Sequence, residues 1–205
     1  MVHRHNKLKL GVLVSGNGTN LQAIIDACEQ KIIDAEIKVV LSNNPKAKAL
    51  QRAHKHGIPV AVVVDRTWEN EILERLQSHQ VDLVCLAGFM KILSHKFIQK
   101  FPNRILNIHP SLLPSFPGLN AQSQALVHGV QFSGVTVHFV DEGCDTGPIL
   151  LQSVVKILDN DTVESLCKRI LKEELKIYPK AIQLIATNTL KIVGRRVIKK
   201  STSKQ

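Results

Sequence analysis

The sequence predicts an α/β fold with a mostly parallel sheet. Short β-branched apolar runs alternate with segments whose apolar residues recur at helical spacing. The runs are apolar almost throughout, which is typical of strands that are covered by helices on both faces. At 205 residues with 44% hydrophobic residues, the chain has the size and composition of one globular domain. We therefore expect a single-domain, Rossmann-like, twisted sheet with helices on both faces and a long C-terminal helix.

The first half of the chain supplies the predicted parallel strands. Five runs rich in Val, Ile and Leu are predicted as strands, at residues 8–15, 36–42, 60–64, 83–87 and 104–109. Three helices are predicted between them, at residues 20–30, 46–56 and 68–80. In the third helix, Ile72, Leu73 and Leu76 lie on one face, so we expect that face to pack against the sheet.

In the second half, residues 135–140 and 148–155 are predicted as neighbouring strands joined by a loop. A long helix is predicted over about residues 162–187, because Asp161 and Thr162 resemble a helix cap. No internal repeat, low-complexity segment or interdomain linker interrupts the sequence. Residues 1–205 are therefore predicted to form a single domain.

The net charge of +10 is concentrated at the two ends of the chain. Residues 1–9 and 191–205 carry nine basic residues and no acidic one, which leaves 18 basic and 17 acidic residues between them. A nucleic-acid interface needs basic residues clustered on a folded surface, so we predict no nucleic-acid partner. Residues 1–7 and 194–205 are expected to be loose, solvated basic ends.

The cysteines and the apolar runs exclude several classes of protein. Four cysteines occur without C-x-x-C spacing, which argues against a structural zinc site and against a secreted disulfide framework. The apolar run at residues 10–14 is too short for a signal peptide, and no run approaches the length of a membrane span. We expect a cytoplasmic protein without membrane contact.

Four loops at predicted strand ends are rich in Gly, Pro, Asn or His, at residues 15–20, 88–93, 107–117 and around Asp145. In an open parallel sheet, ligands bind outside the carboxyl ends of the strands. We therefore predict that these four loops form the functional site.

The glycine loop, Ser15–Asn20 (SGNGTN), joins the first strand to the first helix. Its glycines let the backbone approach an anion, and the helix N-terminus presents free N–H groups. A dinucleotide fingerprint would have a third glycine at Leu21 and an acidic residue where Ser42 ends the second strand. A Walker G-K-[ST] is also missing. The loop favours a single phosphate monoester, with a tight turn that binds no ligand as the alternative.

Asn107 and His109 lie where the fifth predicted strand meets a proline-rich loop. They are two residues apart on extended chain, so both side chains are expected to point the same way. An amide donor beside an imidazole can form an oxyanion site with a proton-transfer group. A histidine before proline also occurs for structural reasons alone.

Asp145 lies in the glycine-bounded loop GCDTGP, after a strand that contains His138. A carboxylate beside His109 would favour the imidazolium and fix its orientation. A metal held by His109, His138 and Asp145 is the competing interpretation. No H-x-x-x-H helix or cysteine pair supports it, so we predict no metal. Cys144 as a nucleophile is less favoured, because its spacing designates no base.

Five segments, taken together and in this order, carry a resemblance: VLVSGNGTNLQAIIDA, LAGFMKIL, ILNIHPSLLPSFPGL, GVTVHFVDEGCDTGPILLQ and EELKIYP. The chain closely resembles the folate-dependent phosphoribosylglycinamide formyltransferases of purine synthesis. The resemblance covers about residues 8–190. No single segment is specific to that family, but the combination is.

The resemblance implies roles for particular residues. Gly18, Thr19 and Asn20 match the family's loop that binds the phosphate of glycinamide ribonucleotide. Glu174 matches the acidic residue that contacts the ribose of the same substrate. The co-substrate 10-formyltetrahydrofolate would bind at Arg66, Met90, Lys91, Ile92 and Leu93, with residues 140–145 closing around its pterin. The catalytic residues are matched by Asn107, His109 and Asp145. The family uses no metal and includes monomers and dimers.

The reaction that the resemblance implies begins with direct attack of the glycinamide amine on the formyl carbon. Asn107 and protonated His109 would stabilise the oxyanion of the tetrahedral intermediate, and Asp145 would support the imidazolium. A proton then reaches the departing folate nitrogen through His109 or a bound water. The strand end would thus deliver both side chains to the reacting atoms.

Two features depart from the family pattern. Relatives usually carry histidines after the Pro-Gly-Leu step, where Asn120 and Gln122 stand here. Lys91 stands where many relatives have arginine, which keeps the charge but loses the planar, forked hydrogen bonding. Neither change touches the catalytic residues. We expect an active enzyme, with any effect falling on folate affinity.

Three alternatives remain open. Formyltetrahydrofolate deformylase, a related hydrolase, carries an extra N-terminal regulatory domain, whereas about seven residues precede the first strand here. Methionyl-tRNA formyltransferase needs a further C-terminal domain to hold tRNA, whereas residues 191–205 are only fifteen residues, too few for such a domain. A non-catalytic phosphate-binding module would keep the glycine loop but has no reason to assemble Asn107, His109 and Asp145.

Overall fold

The structure, a computed structural model, describes residues 7–200 of the chain. Strands and helices alternate through its first half, as predicted. The elements in chain order are β1 (Leu8–Val14), α1 (Thr19–Glu29), β2 (Ala35–Ser42), α2 (Lys48–Lys55), β3 (Val60–Val62), α3 (Trp68–Ser78), β4 (Leu83–Leu86), α4 (His95–Lys100), β5 (Ile105–His109), α5 (Ala121–Val127), β6 (Phe132–Phe139), β7 (Ile149–Lys156), α6 (Val163–Ala186), β8 (Leu190–Val193) and β9 (Arg196–Lys199).

Within residues 7–200 the strands form one nine-stranded sheet, in the order β3-β2-β1-β4-β5-β6-β7-β9-β8. The strands from β3 to β5 in this order are parallel, which places the loops after β1, β4 and β5 side by side at one edge. Strand β6 runs antiparallel to both of its neighbours. The predicted α/β class, with a mostly parallel sheet, is confirmed.

Helices cover the sheet on both faces, as the apolar strands predicted. Ile24 of α1 and Ile170 of α6 lie in one hydrophobic core, and Ile72 of α3 lies in the other. The consecutive residues Val12 and Leu13 belong to different cores, because successive strand side chains point to opposite faces. Burial on both faces explains why β1 is apolar in every position from Leu10 to Val14 except for one glycine.

Helix α6 is hydrogen bonded to two strands in the middle of the sheet. It begins with a capping box in which the Thr162 hydroxyl accepts from the Ser165 amide and the Ser165 hydroxyl accepts from the Thr162 amide. Further along, the buried hydroxyl of Tyr178 is 2.9 Å from the Leu86 carbonyl and 3.0 Å from the Leu106 carbonyl. One side chain therefore ties α6 to the neighbouring strands β4 and β5.

Four elements lie outside the sequence predictions: α4, α5, β8 and β9. The expectation that residues 194–205 form a loose end is corrected over 194–200, because residues 196–199 pair with β8 in a hairpin and Arg196 pairs with Ile149 of β7. Residues 1–6 and 201–205 lie outside the described part of the chain. Of the helices in residues 7–200, none combines the length and the apolar character needed to cross a membrane.

Candidate active site

The glycine loop is shaped by close packing against α2. Gly18 has φ 73°, and a Cβ placed on it would lie 2.6 Å from the Ala49 Cβ, so only glycine fits there. The Arg52 guanidinium donates to the Asn17 carbonyl at 2.8 Å. Helix α1 then starts at Thr19, with no acidic residue in its first turn. Its N-terminal N–H groups are thus suited to an anion, as the sequence predicted.

Asn20 joins the glycine loop to α6. Its side chain is buried, and its Nδ2 donates to Glu174 Oε2 at 2.9 Å. Burial raises the pKa of Glu174, and the hydrogen bond from Asn20 opposes that rise only in part. The Oδ1 atom of Asn20 is buried without a hydrogen-bond partner within residues 7–200. The structure therefore brings together the residues predicted to hold the ribonucleotide.

The 88–93 segment follows β4 at the next position along the sheet edge. Met90 and Ile92 are 69% and 90% exposed, which leaves two apolar side chains available for a ligand. Leu93, by contrast, is buried in the core beside α3 and α4. Leu93 thus anchors the segment in the core, and its contribution to co-substrate binding stays a prediction.

Trp68 connects the 88–93 segment to the loop that contains Arg66. The Trp68 ring packs against Phe89 with centroids 5.8 Å apart, and Lys91 Nζ lies 6.0 Å from the Trp68 centroid. Arg66 is exposed two residues before Trp68, at the end of the β3–α3 connection. The segments predicted to bind the co-substrate therefore adjoin one another through an aromatic pair that the sequence prediction did not include.

His109, at the end of β5, is buried and has an oxygen partner beside each ring nitrogen. Nε2 is hydrogen bonded to the Phe116 carbonyl at 2.8 Å, and Nδ1 lies 3.2 Å from Asp145 Oδ2, within ion-pair distance. A carbonyl can only accept a hydrogen bond, so Nε2 carries the hydrogen of that bond. The structure therefore places a carboxylate beside His109, as the sequence predicted.

Asp145 is the common partner of the two other side chains that are predicted to be catalytic, Asn107 and His109. Its Oδ1 accepts from Asn107 Nδ2 at 3.4 Å and lies 3.5 Å from His138 Nε2, while Oδ2 accepts from the Gly118 amide at 2.8 Å. Burial acts to raise the pKa of Asp145, but the hydrogen bonds from His138 and Gly118 and the nearby charge of His109 outweigh it and lower the pKa to about 2. The carboxylate is therefore ionised at neutral pH.

The loop that carries Asp145 reaches the site by a route that the sequence did not predict. Since β6 runs antiparallel to β5, the chain leaves β6 beside Leu106 instead of beside His109. The loop then folds back and is fixed by Asp141, whose Oδ1 accepts from the Thr146 hydroxyl at 2.6 Å. Asp145 itself has φ 57°, a left-handed conformation that is uncommon for residues other than glycine but that aspartate adopts more often than most. The loop thereby brings Asp145 to Asn107, His109 and the Gly118 amide, although β6 itself ends beside the other end of β5.

His138 completes the reaction centre, by which we mean Asn107, His109, His138 and Asp145. It is buried on β6 opposite Asn107, with Nε2 3.2 Å from Asn107 Nδ2 and Nδ1 2.9 Å from the Phe139 carbonyl. Sequence reasoning considered His138 only as a metal ligand. The alternation of polar and apolar residues in VTVHFV was the signal that could have placed it on the same face as Asn107.

Comparison with known proteins assigns the family. The family model described as formyl transferase matches residues 8–182. The chain belongs to the formyl transferase family. Phosphoribosylglycinamide formyltransferase of Bacillus subtilis is 41% identical over 187 residues, which cover 88% of this chain and 96% of that protein. Glycinamide ribonucleotide transformylase 1 from Symbiobacterium toebii has a TM-score of 0.92 and 50% identity, covering 97% of this chain and 96% of that one. The family resemblance is confirmed.

Two other relatives in the formyl transferase family are longer than this chain. The human trifunctional purine biosynthetic protein adenosine-3 is 44% identical over 192 residues, which cover 91% of this chain but only 19% of that protein. A formyltetrahydrofolate deformylase from Pseudomonas syringae has a TM-score of 0.89 at 26% identity, covering 95% of this chain and 66% of that one. The same fold therefore occurs in proteins named for transfer and for deformylation.

Proposed function

We propose that this chain transfers the formyl group of 10-formyltetrahydrofolate to the amine of 5-phosphoribosylglycinamide, giving the N-formyl product and tetrahydrofolate in de novo purine biosynthesis. The observation that carries the proposal is the sharing of one ionised carboxylate, Asp145, by His109 and Asn107. This arrangement occurs in a chain that matches named phosphoribosylglycinamide formyltransferases over nearly all of their length. Residues 1–205 would act as one formyltransferase domain.

The oxyanion that forms on the formyl oxygen needs hydrogen-bond donors. Asn107 Nδ2 can supply one, and protonated His109 can supply another, since Asp145 stabilises the imidazolium through Nδ1. The bond from His109 Nε2 to the Phe116 carbonyl is the one that a substrate oxygen would replace. Phe116 has φ 55°, so its carbonyl is held in an unusual orientation beside the ring. We infer that this carbonyl keeps Nε2 protonated and pointed into the site before substrate binds.

Proton transfer must balance the reaction. The substrate amine loses a proton as its nitrogen bonds to the formyl carbon, and the folate nitrogen gains one as its bond to that carbon breaks. Because His109 begins protonated, it would first give a proton to the folate nitrogen and then take up the proton of the amine, directly or through a water, while its ionised partner Asp145 remains negative throughout. Asp145 therefore acts by charge and orientation, without giving up a proton of its own.

The two substrates would bind at separate parts of the sheet edge. The phosphate fits the glycine loop at Gly18, Thr19 and Asn20, and Glu174 lies next to Asn20 where it can accept from ribose hydroxyls. The co-substrate supplies the formyl group and would bind along Arg66 and residues 90–93, where exposed apolar and basic side chains meet. Asn120 and Gln122 then have no assigned contact with either substrate.

We further propose that no metal takes part and that the enzyme works in the cytoplasm as a monomer or homodimer, without membrane or nucleic acid. The near balance of charge between residues 10 and 190 supports the absence of a nucleic-acid partner. Within residues 7–200, no group of three or more His, Cys, Asp or Glu side chains is arranged to hold a metal ion, which fits catalysis by hydrogen bonds.

Hydrolysis of the formyl folate is the second candidate function, because a deformylase shares the fold at 26% identity. A hydrolase would direct water to the formyl carbon and would need no site for a phosphorylated amine. The glycine loop and its contact with Glu174 through Asn20 favour the transferase.

The test is formyl transfer from 10-formyltetrahydrofolate to glycinamide ribonucleotide, followed by the absorbance of the folate product, with a reaction lacking the amine as control. We expect product only when the amine is present, and a loss of about 10²- to 10⁴-fold in turnover for His109→Ala. Folate release at the same rate without the amine would establish the hydrolase instead. No turnover in either reaction would leave a phosphate-binding module as the function.

A further inference from the structure

We propose that Ser15 is a positioning residue that couples the binding of the two substrates. Ser15 follows β1 and stands outside both sets of residues proposed to contact substrate, Gly18–Asn20 and Met90–Leu93. Its hydroxyl nevertheless joins the loop that carries the first set to the segment that carries the second. This inference rests on the proposed function and adds a regulatory property to it.

The Ser15 hydroxyl makes two hydrogen bonds, one as donor and one as acceptor. Its Oγ donates to Asn43 Oδ1 at 2.5 Å and accepts from the Met90 amide at 2.8 Å. A hydroxyl has one hydrogen, so donation to Asn43 turns the oxygen lone pairs toward Met90. Asn43, at the end of β2, therefore sets the orientation in which Ser15 holds the 88–93 segment.

The backbone of Ser15 strengthens the same connection. The Ser15 amide donates to the Gly88 carbonyl at 3.2 Å, and the Ser15 carbonyl accepts from Asn44 Nδ2 at 2.9 Å. Four hydrogen bonds at one residue thus join the ends of β1, β2 and β4. The next residue, Gly16, accepts from the Ala49 amide at 3.1 Å, which extends the network into the packing around the glycine loop.

This network gives the two binding segments a common support. Met90 is exposed, so water can replace the hydroxyl as a partner of its amide when Ser15 is changed. The free energy of unfolding then changes little. The position of the 88–93 segment relative to the glycine loop, however, is no longer fixed by the hydroxyl. A ligand that orders either segment would otherwise reduce the cost of ordering the other, and such coupling is reciprocal in equilibrium binding.

The experiment is isothermal titration calorimetry of tetrahydrofolate, with and without saturating glycinamide ribonucleotide. For the wild-type chain we expect the Kd of tetrahydrofolate to fall about 5-fold or more when the ribonucleotide is present. Ser15→Ala should bring the ratio of the two Kd values close to 1, whereas Ser15→Thr, which keeps the hydroxyl, should retain the wild-type ratio. Ser78→Ala is the matched control, because the Ser78 hydroxyl contacts the Arg75 carbonyl and the His79 ring at the end of its own helix, outside both binding segments.

Two results would overturn the proposed coupling. One is a wild-type chain in which the Kd of tetrahydrofolate is the same with and without the ribonucleotide. The other is a folded Ser15→Ala variant in which the ratio of the two Kd values equals that of the wild type. Thermal unfolding followed by circular dichroism shows whether Ser15→Ala folds. If it does not, Asn43→Ala provides the same test, since it removes the partner that orients the hydroxyl. A wild-type chain that turns over both substrates with a ratio of 1 would refute the coupling alone, whereas absence of turnover and of binding would refute the proposed function.

Discussion

The glycine loop follows β1 and the reaction centre lies at β5 and β6, with β4 between β1 and β5 in the sheet, and the two regions are held in shape by different forces. In the glycine loop, the backbone is pressed against α2, and a single added methyl at Gly18 would overlap Ala49. In the reaction centre, three side chains surround one carboxylate, Asp145: Asn107 donates to Oδ1, and the rings of His109 and His138 lie within ion-pair distance of its two oxygens. The first is fixed by close packing, and the second by charge.

This difference has consequences for how each region tolerates change. A packed loop responds to volume and backbone conformation, and its response does not depend on pH. A charged cluster responds to protonation, because its geometry persists only while the carboxylate is ionised. Four substitutions separate the two behaviours.

The largest effect is expected for Asn107→Ala, which removes the proposed oxyanion donor from the reaction centre and leaves the glycine loop unchanged. Turnover should fall about 10²- to 10³-fold, while the Kd of glycinamide ribonucleotide stays within about 2-fold. Steady-state kinetics and calorimetry measure the two quantities. Asn70→Ala, at an exposed position on α3, serves as the control. A loss of ribonucleotide affinity equal to the loss of turnover would show that the two regions are not separable.

Gly18→Ala should damage the glycine loop by packing alone. The new methyl meets backbone and side-chain atoms of Ala49 at 2.7 and 2.6 Å, and the residue must keep φ 73°. We expect a loss of about 2–4 kcal/mol in the free energy of unfolding, independent of pH between 5 and 8 (roughly the range of maximal stability), as measured with urea. Gly16→Ala is the matched control, because within residues 7–200 no atom beyond its chain neighbours lies within 4 Å of its Cβ position. Equal losses for the two variants would contradict the packing account.

Asp145→Asn should damage the reaction centre in a pH-dependent manner. The pKa of Asp145 is lowered to about 2 in the folded chain, so its ionised form stabilises the fold above the ordinary carboxyl pKa. At pH 7 the variant should lose about 1.5–3 kcal/mol, and the difference from wild type should shrink as the pH falls from about 4 toward 2. Urea unfolding at several pH values tests this, with the exposed Asp159→Asn as control. A difference that does not change with pH would refute it.

The smallest effect, and one of opposite sign, is expected for Glu174→Gln. Burial raises the pKa of Glu174, so ionisation at neutral pH opposes folding. The variant should gain about 0.5–1 kcal/mol at pH 7, and the gain should disappear below the ordinary glutamate pKa, where both side chains are neutral. Ribonucleotide affinity should fall at the same time. Urea unfolding and calorimetry measure the two quantities, and Glu164→Gln, exposed on the same helix, should show neither change.

The parallel strands could be predicted because burial on both faces requires apolar residues at every position, as in β4 and most of β1. The hairpin of β8 and β9 could not be predicted, because its strands are four residues long, lie at the sheet edge and mix basic with apolar residues, as a solvated end does. Helix α4 was not predicted because its six residues are too few for apolar residues to recur over several turns. Ser94, whose hydroxyl caps it, was the available signal.

The candidate site was predictable where its residues lie close together in sequence. Asn107 and His109 were expected to point the same way, and both contact Asp145. The contact of His138 with Asn107 depends on the antiparallel pairing of β5 with β6, which apolar periodicity does not reveal. The direction in which a strand runs is determined by the connections between elements, so the sequence pattern alone left the fourth member of the reaction centre unassigned.

Trp68 provides an optical property that follows from its position. It is the only tryptophan in the chain, and its ring lies against Phe89 with the Lys91 ammonium nearby. Its fluorescence therefore originates at one place, the junction between the Arg66 loop and the 88–93 segment. Emission from the unmodified protein should thus respond to occupancy of that junction, without an attached dye and without background from a second indole.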